Sequence, residues 1–286
     1  MRYEAPESVE GAVALLSAAT GEARVLAGGT DLLVQMRADV VDPELIVDIK
    51  KIAETRAVTE EKGGWRIGAA VTGAELKEHA RLKKIWPGVV EAANLIGSTQ
   101  VQGRATLGGN LCNGSPAADS VPALIAAGAV ATVAGPQGRR DIPVEDVMLA
   151  PRKLALTRGE FIVSFLLPPR PPRSSDAYLR FIPRTEMDIA VVGAGVSVTI
   201  DGGGTITAAR VSLGAVAPRV LLVREAATAV IGSRLDREAQ DRLEAAARAA
   251  CTPIDDKRGT VEFRVQVAGV LTRRAALIAL DRARTS

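Results

Sequence analysis

A proline-rich segment in the second half of the chain sets the strongest limit on how the chain can fold. Residues Pro168-Pro169-Arg170-Pro171-Pro172-Arg173-Ser174-Ser175 cannot continue a helix or a central strand, because proline lacks a backbone N–H and its ring fixes φ. The segment therefore predicts a domain boundary, with a linker over residues 168–176. The chain has 286 residues, which is ample to bury a core.

Hydrophobic patterns predict alternating helices and strands before this boundary. Helices are expected at 6–19, from Thr30 or Asp31 to about 38, and at 73–80, 87–96 and 118–127. Strands are expected at 23–27, 45–49, 130–133 and 160–166, with a hairpin formed by 57–59 and 65–70. Residues 97–104 are expected to form a polar loop, which leads into a short strand at 105–107.

The part after the boundary combines a small sheet with helices. Strands rich in Val, Ile, Thr and Ala are expected at 189–200 and 205–216, on either side of an Asp201-Gly202-Gly203-Gly204 turn. Helices are expected at 223–231, 237–250 and 270–284. This order of elements indicates an α+β arrangement.

The chain is poor in residues that ligate metals or activate nucleophiles. It contains one histidine, His79, and two cysteines, Cys112 and Cys251. No CxxC pair or Cys/His cluster can be assembled, so neither a zinc site nor an iron–sulfur cluster held by this chain alone is expected. His79 stands between charged neighbours and is expected at an exposed helix end, which does not suit a catalytic triad.

Composition and charge exclude several other classes. Aromatic residues are 3% of the chain, too few for the stacking platforms of single-strand nucleic-acid binders. The longest apolar stretch, 121–135, is shorter than a membrane span and is interrupted by Pro122 and Gly128. The charged N-terminus lacks the apolar core of a signal peptide, and two distant cysteines fit a reducing compartment, so a cytoplasmic location is expected.

Two glycine pairs are candidate phosphate-binding loops. The first lies in Leu26-Ala27-Gly28-Gly29-Thr30-Asp31-Leu32 and the second in Thr106-Leu107-Gly108-Gly109-Asn110. Glycine permits positive φ and lets backbone N–H groups converge on an anion, so two such loops could clamp a pyrophosphate. Each pair taken singly also suits an ordinary turn. No GxxxxGK[ST] or complete GxGxxG motif occurs.

A polar segment, residues 111–124, follows the second glycine pair. It is rich in turn-forming residues yet stands between apolar elements, as functional loops often do. Its carboxylate Asp119 suits two roles: it could cap the helix that follows, or it could accept hydrogen bonds from ribose hydroxyls.

The order and spacing of three segments resemble a known family. AGGTDL at 27–32, TLGGN at 106–110 and SPAADSVPAL at 115–124 resemble the FAD-binding medium subunit of the molybdenum hydroxylases, the xanthine dehydrogenase and carbon monoxide dehydrogenase group. The resemblance covers the whole chain. It implies an α+β fold: an FAD-binding domain of the p-cresol methylhydroxylase type over 1–170, built from two α/β subdomains, and a small C-terminal domain with an antiparallel sheet and helices over 177–286.

The resemblance also implies a set of FAD-binding residues. The first loop contributes Val25, Leu26, Ala27, Gly28, Gly29, Thr30, Asp31 and Leu32, and the second contributes Thr106, Leu107, Gly108, Gly109 and Asn110. Asp119 matches the family's FAD-contacting carboxylate, and Ile96 and Ile162 match apolar positions near the flavin. Arg180 stands where the family often has lysine, a departure that keeps the charge and changes the donor geometry.

The function implied is that of an electron-transfer flavoprotein subunit. A flavin subunit needs no catalytic acid, base or metal of its own, because the cofactor carries the redox chemistry. The resemblance implies two partners: a small subunit with [2Fe-2S] centres and a large subunit with the molybdenum cofactor, arranged as a dimer of heterotrimers. NAD or another acceptor would reoxidise the FAD. Two alternatives stay open, a stand-alone flavin oxidoreductase and an orphan nucleotide-binding module without turnover.

Overall fold

The fold is described from a computed structural model that covers residues 1–286. Its strands are β1 Arg2–Glu4, β2 Ala23–Leu26, β3 Leu45–Asp48, β4 Val58–Glu61, β5 Gly64–Gly68, β6 Val130–Gly135, β7 Gly138–Pro143, β8 Met148–Ala150, β9 Lys153–Leu154, β10 Phe161–Leu167, β11 Ser174–Phe181, β12 Val192–Ile200, β13 Ile206–Gly214 and β14 Leu221–Leu222. Its α-helices are α1 Val9–Ala18, α2 Leu32–Arg37, α3 Ala53–Arg56, α4 Gly73–Glu78, α5 Ala80–Ile85, α6 Pro87–Ala93, α7 Thr99–Gln102, α8 Leu107–Cys112, α9 Ser120–Ala126, α10 Val144–Val147, α11 Arg224–Thr228, α12 Arg237–Ala249 and α13 Val261–Thr285.

The N-terminal third forms a small parallel α/β unit. Its sheet has the order β1-β3-β2, with both pairs parallel. The preceding Ser8 starts α1 because its hydroxyl accepts a hydrogen bond from the N–H of Gly11 at 3.0 Å. All of β3 is buried, as expected for the central strand of a parallel sheet.

The second unit is an antiparallel sheet covered by short helices. Its order is β4-β5-β10-β6-β7, and β10 is central because Phe161–Leu167 is an almost uninterrupted apolar run. Helix α4 begins at a capping box in which Thr72 and Glu75 each bond the other's backbone N–H. The two units share one hydrophobic core, to which α6, α8 and α9 contribute.

The C-terminal part has its own sheet and core. The antiparallel sheet has the order β11-β12-β13-β14, and the long helix α13 packs against β11 and β12. A separate cluster of buried apolar side chains lies between this sheet and helices α11, α12 and α13. This arrangement matches the C-terminal α+β unit expected from the sequence.

The two parts are joined by packing and by buried ion pairs. Helices α6 and α9 pack against β11, and α9 also packs against β12 and β13. The guanidinium of Arg170 donates to Asp176 at 2.8 Å and stacks over the ring of Trp86, 4.1 Å from its centroid. The other oxygen of Asp176 accepts from the N–H of Val89 at 3.2 Å. Asp176 therefore connects the start of β11 to α6.

Several local predictions were wrong at particular residues. Residues 97–104 contain a helical turn, Thr99–Gln102. No strand precedes the second glycine pair; Thr106 is instead the N-cap of α8. Residues 174–176, placed in the linker, belong to strand β11, because the prolines end at 172 and leave Ser174 free to pair with Thr199. Helix α13 begins at Val261, since Thr260 caps its first turn.

Elements missed by the sequence reasoning are mostly short or depend on pairing. They include β7, β8, β9 and β11. The bounds of the predicted domains stay a prediction. None of the helices combines the length and the apolar character needed to cross a bilayer.

The packing of α9 on β12 predicts one stability effect. A Cβ on Gly195 would lie 2.5 Å from the carbonyl oxygen of Pro122, so Gly195→Ala should lower the free energy of unfolding by about 1–3 kcal/mol. The matched control is Gly103→Ala, where the nearest atom lies 3.5 Å away and little change is expected. Urea unfolding of both variants provides the measurement, and equal midpoints would contradict the packing.

Candidate functional site

A cavity of about 400 Å³ lies where the first loop, α8 and the residues around β9 and β10 meet. This volume falls in the range of small-molecule sites. Most of the residues predicted to bind the cofactor line it: Val25, Leu26, Ala27, Gly28, Gly29, Thr30, Asp31, Leu32, Ile96, Thr106, Gly108, Gly109, Asn110 and Ile162. The tertiary structure therefore brings together two segments that are some eighty residues apart.

Three of the predicted residues do not line this cavity. Leu107 is 1% exposed and belongs to the hydrophobic core. Asp119 and Arg180 are paired with each other, away from the cavity wall. Their direct contact with a cofactor stays a prediction.

The first loop depends on two glycines for different reasons. A Cβ on Gly28 would lie 2.0 Å from the carbonyl oxygen of Arg104, so only glycine permits this backbone approach. Gly29 has a φ of 78°, a region that other residues rarely adopt. The N–H groups of Gly28, Gly29, Thr30 and Asp31 donate to no backbone carbonyl, which leaves consecutive donors available to a ligand.

The second glycine pair lies within the first turn of α8. The hydroxyl of Thr106 caps this turn by accepting from the N–H of Gly109 at 3.0 Å. A Cβ on Gly108 would lie 2.6 Å from the carbonyl oxygen of Ala69, so Gly108 seats the helix on the segment after β5. A Cβ on Gly109 would meet nothing but the Thr106 hydroxyl within 4 Å, so the Gly109 backbone is open on its cavity side.

Hydrogen bonds between polar side chains connect the two loops to neighbouring helices. The amide of Gln35 on α2 donates to the side-chain oxygen of Asn113 at 2.9 Å, directly after α8. The side-chain oxygen of Asn110 accepts from both the N–H and the hydroxyl of Ser120, at 3.0 and 2.7 Å. Asn110 therefore connects the cavity wall to the start of α9.

Sequence reasoning missed part of the cavity wall. The missed residues are Ala23, Arg24, Gln35, Val40, Val41, Ile49, Ala69, Ala105, Cys112, Asn113, Arg152, Leu154, Leu156, Glu160 and Phe161. The period-two spacing of Leu154 and Leu156, ahead of the apolar β10, was a signal for some of this wall. Cys112 and Asn113 belong to the polar segment 111–124, which the sequence marked as a candidate functional loop. Most of the other positions carry no local signal, because tertiary packing places them there.

The charged groups at the cavity have distinct surroundings. Hydrogen bonds from Arg140 lower the pKa of Glu160 to about 2, so this carboxylate is ionised and paired. Desolvation raises the pKa of Asp31, whose carboxylate has no ion-pair partner. The guanidinium of Arg152 is also unpaired.

Asp119 lies in a buried polar cluster with residues of the C-terminal part. One of its oxygens accepts from Arg180 at 2.9 Å and the other from the Tyr178 hydroxyl at 3.3 Å. Burial raises the pKa of Asp119 to about 6, against the opposing influence of Arg180. Although Asp119 directly precedes α9, its side chain makes no capping hydrogen bond. The helix-cap interpretation is therefore wrong.

His79 has a structural role. Its Nδ1 accepts from the N–H of Leu82 at 3.2 Å, and its ring packs edge-on against Trp65. The residue lies at a helix end, between α4 and α5, as predicted. It is half-buried, so the prediction that it is exposed was wrong. It lies outside the cavity, and the absence of a catalytic role stays a prediction.

Comparison with known families shows which protein family the chain matches. Residues 1–170 match the FAD-binding domain of molybdopterin dehydrogenases, and residues 177–279 match the C-terminal domain of CO dehydrogenase flavoproteins. The chain belongs to the flavoprotein family of the molybdopterin dehydrogenases. Its cofactor is FAD, and the family resemblance seen in the three sequence motifs is confirmed.

Individual relatives are similar over most of their length. The carbon monoxide dehydrogenase medium chain of Afipia carboxidovorans is 34% identical over 282 residues, covering 99% of this chain and 97% of the relative. A xanthine dehydrogenase FAD-binding subunit of Escherichia coli is 30% identical, covering 88% and 87%. These relatives confirm that the chain is an oxidoreductase flavoprotein subunit.

Solved structures confirm the fold class. A chain of a Cu,Mo-CO dehydrogenase superposes with a TM-score of 0.94 at 34% identity, covering 99% of this chain and 98% of that chain. A chain of quinoline 2-oxidoreductase from Pseudomonas putida 86 gives a TM-score of 0.90 at 26% identity, with the same coverage.

The surroundings of Asp119 predict a pH effect on stability. The folded chain holds the Asp119 proton up to a pKa of about 6, whereas the ordinary value is 3.8, so the folded state binds more protons between these values. The free energy of unfolding of the wild type, relative to Asp119→Asn, should fall by about 2 kcal/mol as the pH rises from 4 to 6. Urea unfolding at several pH values measures this difference; a difference that is flat or rises with pH would contradict the raised pKa.

Proposed function

We propose that this chain carries FAD in the cavity between its two glycine loops and passes electrons from an iron–sulfur partner, through the flavin, to an external acceptor. The observation that carries the proposal is the convergence of Gly28-Gly29 and Gly108-Gly109 on one cavity. The family membership supports it independently. The proposal needs no catalytic acid, base or metal on this chain.

The residues of the cavity fit an FAD pyrophosphate. The first loop offers the unpaired N–H groups of residues 28–31, which suit an anionic group. The open side of Gly109 leaves room for the pyrophosphate to approach the backbone. Thr30 and Asn110 would add polar groups from the two loops.

Apolar walls would hold the two ring systems of the cofactor. Ile96 lies in the same cavity as Leu154, Leu156 and Ile162, and such surfaces exclude water from flat aromatic rings. When bound, FAD supplies the redox chemistry, accepting and releasing electrons at its ring system. This chain's residues orient the cofactor and set its electrostatic surroundings.

Asp119 and Arg180 are proposed to act at the edge of this site. Asp119 is adjacent to Ser120, which bonds the cavity residue Asn110. The arrangement suits a carboxylate that exchanges its bond with Arg180 for a cofactor hydroxyl. Arg180 would then place its positive charge near the ligand. Leu107 would support the loop from the core.

The proposed partners follow the organisation of the family. The small subunit would carry [2Fe-2S] centres, and the large subunit would carry the molybdenum cofactor and oxidise the substrate. A dimer of heterotrimers, reoxidation by NAD or another acceptor, and a cytoplasmic location belong to the same proposal. Both cysteines of this chain are free thiols, which fits a reducing compartment.

A visible absorption spectrum of the purified chain tests the proposal directly. The protein is incubated with FAD, desalted and scanned. Flavin bands at close to one per chain, without iron–sulfur absorption, are the expected result. No retained flavin would overturn the proposal and favour the orphan module, whereas steady-state turnover by the isolated chain would favour the stand-alone oxidoreductase.

Copurification tests the partners separately. The tagged chain is isolated from its native host under conditions in which the complex is expressed. Two further subunits with iron–sulfur absorption and bound molybdenum are expected. Isolation as a free monomer would contradict the assignment of partners, while leaving the flavin site intact.

The open side of Gly109 predicts the effect of a substitution. Gly109→Val places a branched side chain where the pyrophosphate would approach, so FAD should be lost while the fold is kept. Far-UV circular dichroism checks the fold, and the flavin-to-protein absorbance ratio measures binding. The control is Gly103→Ala, which lies outside the cavity and should bind normally. Full FAD occupancy in Gly109→Val would contradict the proposal that the two glycine loops clamp the pyrophosphate.

A further inference from the structure

Arg152 is the one non-glycine residue of the cavity wall with a left-handed backbone, at a φ of 60°. It lies with Pro151 in the turn between β8 and β9. A turn with proline at its first central position and positive φ at its second normally takes glycine or asparagine there. Turn formation therefore does not explain why this position carries arginine.

The backbone of Arg152 is held against the segment that follows α8. Its N–H donates to the carbonyl oxygen of Gly114 at 2.8 Å. Gly114 is itself left-handed, with a φ of 65°, and a Cβ there would lie 2.8 Å from the Cα of Arg152. The two backbones are thus in close contact. This contact offsets the cost of a left-handed backbone at a residue with a side chain.

The side chain of Arg152 is the unpaired cation of the cavity. The other arginine of the wall, Arg24, is bound to Glu22 at 2.5 Å. Arg152 takes part in no ion pair, and its side chain is exposed. Of the two carboxylates on the wall, Glu160 is already paired with Arg140 at 2.7 Å. The free positive charge of Arg152 is therefore available to a ligand.

The anionic part of FAD is its pyrophosphate, and an unpaired guanidinium in its cavity matches that charge. Arginine suits phosphate because its planar fork presents parallel donors to two oxygens. Asp31, on the same wall, has the same sign of charge as the phosphate. A cation is therefore needed to offset its repulsion.

We propose that Arg152 binds the pyrophosphate of the cofactor, opposite the N–H groups of the first loop, and that its left-handed backbone directs the side chain from the turn toward the cavity. The inference rests on the proposed function, because it takes FAD as the ligand. It assigns a phosphate-binding role to a residue that lies outside both glycine motifs. The pyrophosphate would then be held by backbone dipoles on one side and by a full charge on the other.

The test compares three variants of the whole chain by FAD titration. Arg152→Asn removes the charge and tolerates the left-handed backbone, and Arg152→Lys keeps the charge. Lys62→Asn is the matched control, since Lys62 is an exposed cation with a φ of 51° that does not line the cavity. Flavin fluorescence measures the dissociation constant, and urea unfolding shows whether the variants remain folded.

Arg152→Asn should raise the dissociation constant for FAD by roughly 10- to 100-fold, the range for a hydrogen bond to a charged group. Arg152→Lys should show a smaller loss of affinity for FAD, because lysine keeps the positive charge but lacks the parallel N–H donors of the guanidinium. Lys62→Asn should bind like the wild type. Equal affinity of Arg152→Asn and the wild type would overturn the inference.

Competition with ADP and with adenosine separates phosphate binding from stacking on the adenine. In the wild type, ADP should displace FAD at lower concentration than adenosine does, and Arg152→Asn should lose most of that difference. An equal loss for ADP and adenosine would overturn the phosphate role and indicate stacking. A wild-type chain that binds no FAD would instead refute the proposed function, which keeps the two failures distinct.

Discussion

The close contact between Gly28 and the carbonyl of Arg104 is the constraint on which the cofactor cavity depends. No side chain fits between these backbones, since a Cβ on Gly28 would lie 2.0 Å from the oxygen. The contact brings the first loop against the chain that leads into the second. Gly108 makes a comparable contact with Ala69 and seats α8 on the sheet. These close contacts between backbone segments therefore set the width of the cavity. Because such tightly packed contacts move little, they hold the N–H donors of the first loop in place.

The cavity of this FAD-binding protein contains no histidine and one cysteine. Its one thiol, Cys112, lines the cavity, and no histidine lies on the cavity wall to activate it. The single histidine, His79, is engaged in a helix cap and an aromatic contact elsewhere.

The C-terminal part shapes the surroundings of the site as well as adding its own core. Strand β11 supplies Tyr178 and Arg180 to the buried carboxylate of Asp119, which belongs to the N-terminal part. Asp119 in turn neighbours Ser120, which bonds Asn110 on the cavity wall. A change in how the two parts pack would therefore alter the surroundings of Asp119 and, through Ser120, those of Asn110 on the cavity wall. Because Asp119 is buried against β11, desolvation is the largest influence on its pKa.

The sequence by itself determined the two-part α+β organisation, most helices and strands, and the two glycine loops, because prolines, hydrophobic periodicity and glycine pairs act locally. Tertiary structure decided the rest. The pairing of Ser174 into β11 depends on Thr199, a partner distant in the chain. The left-handed Arg152 on the cavity wall likewise has no local signal. The sequence left Asp119 as a helix cap or a ligand of ribose hydroxyls; the structure shows no cap and pairs the buried carboxylate with Arg180, a nearby cation that stabilises it.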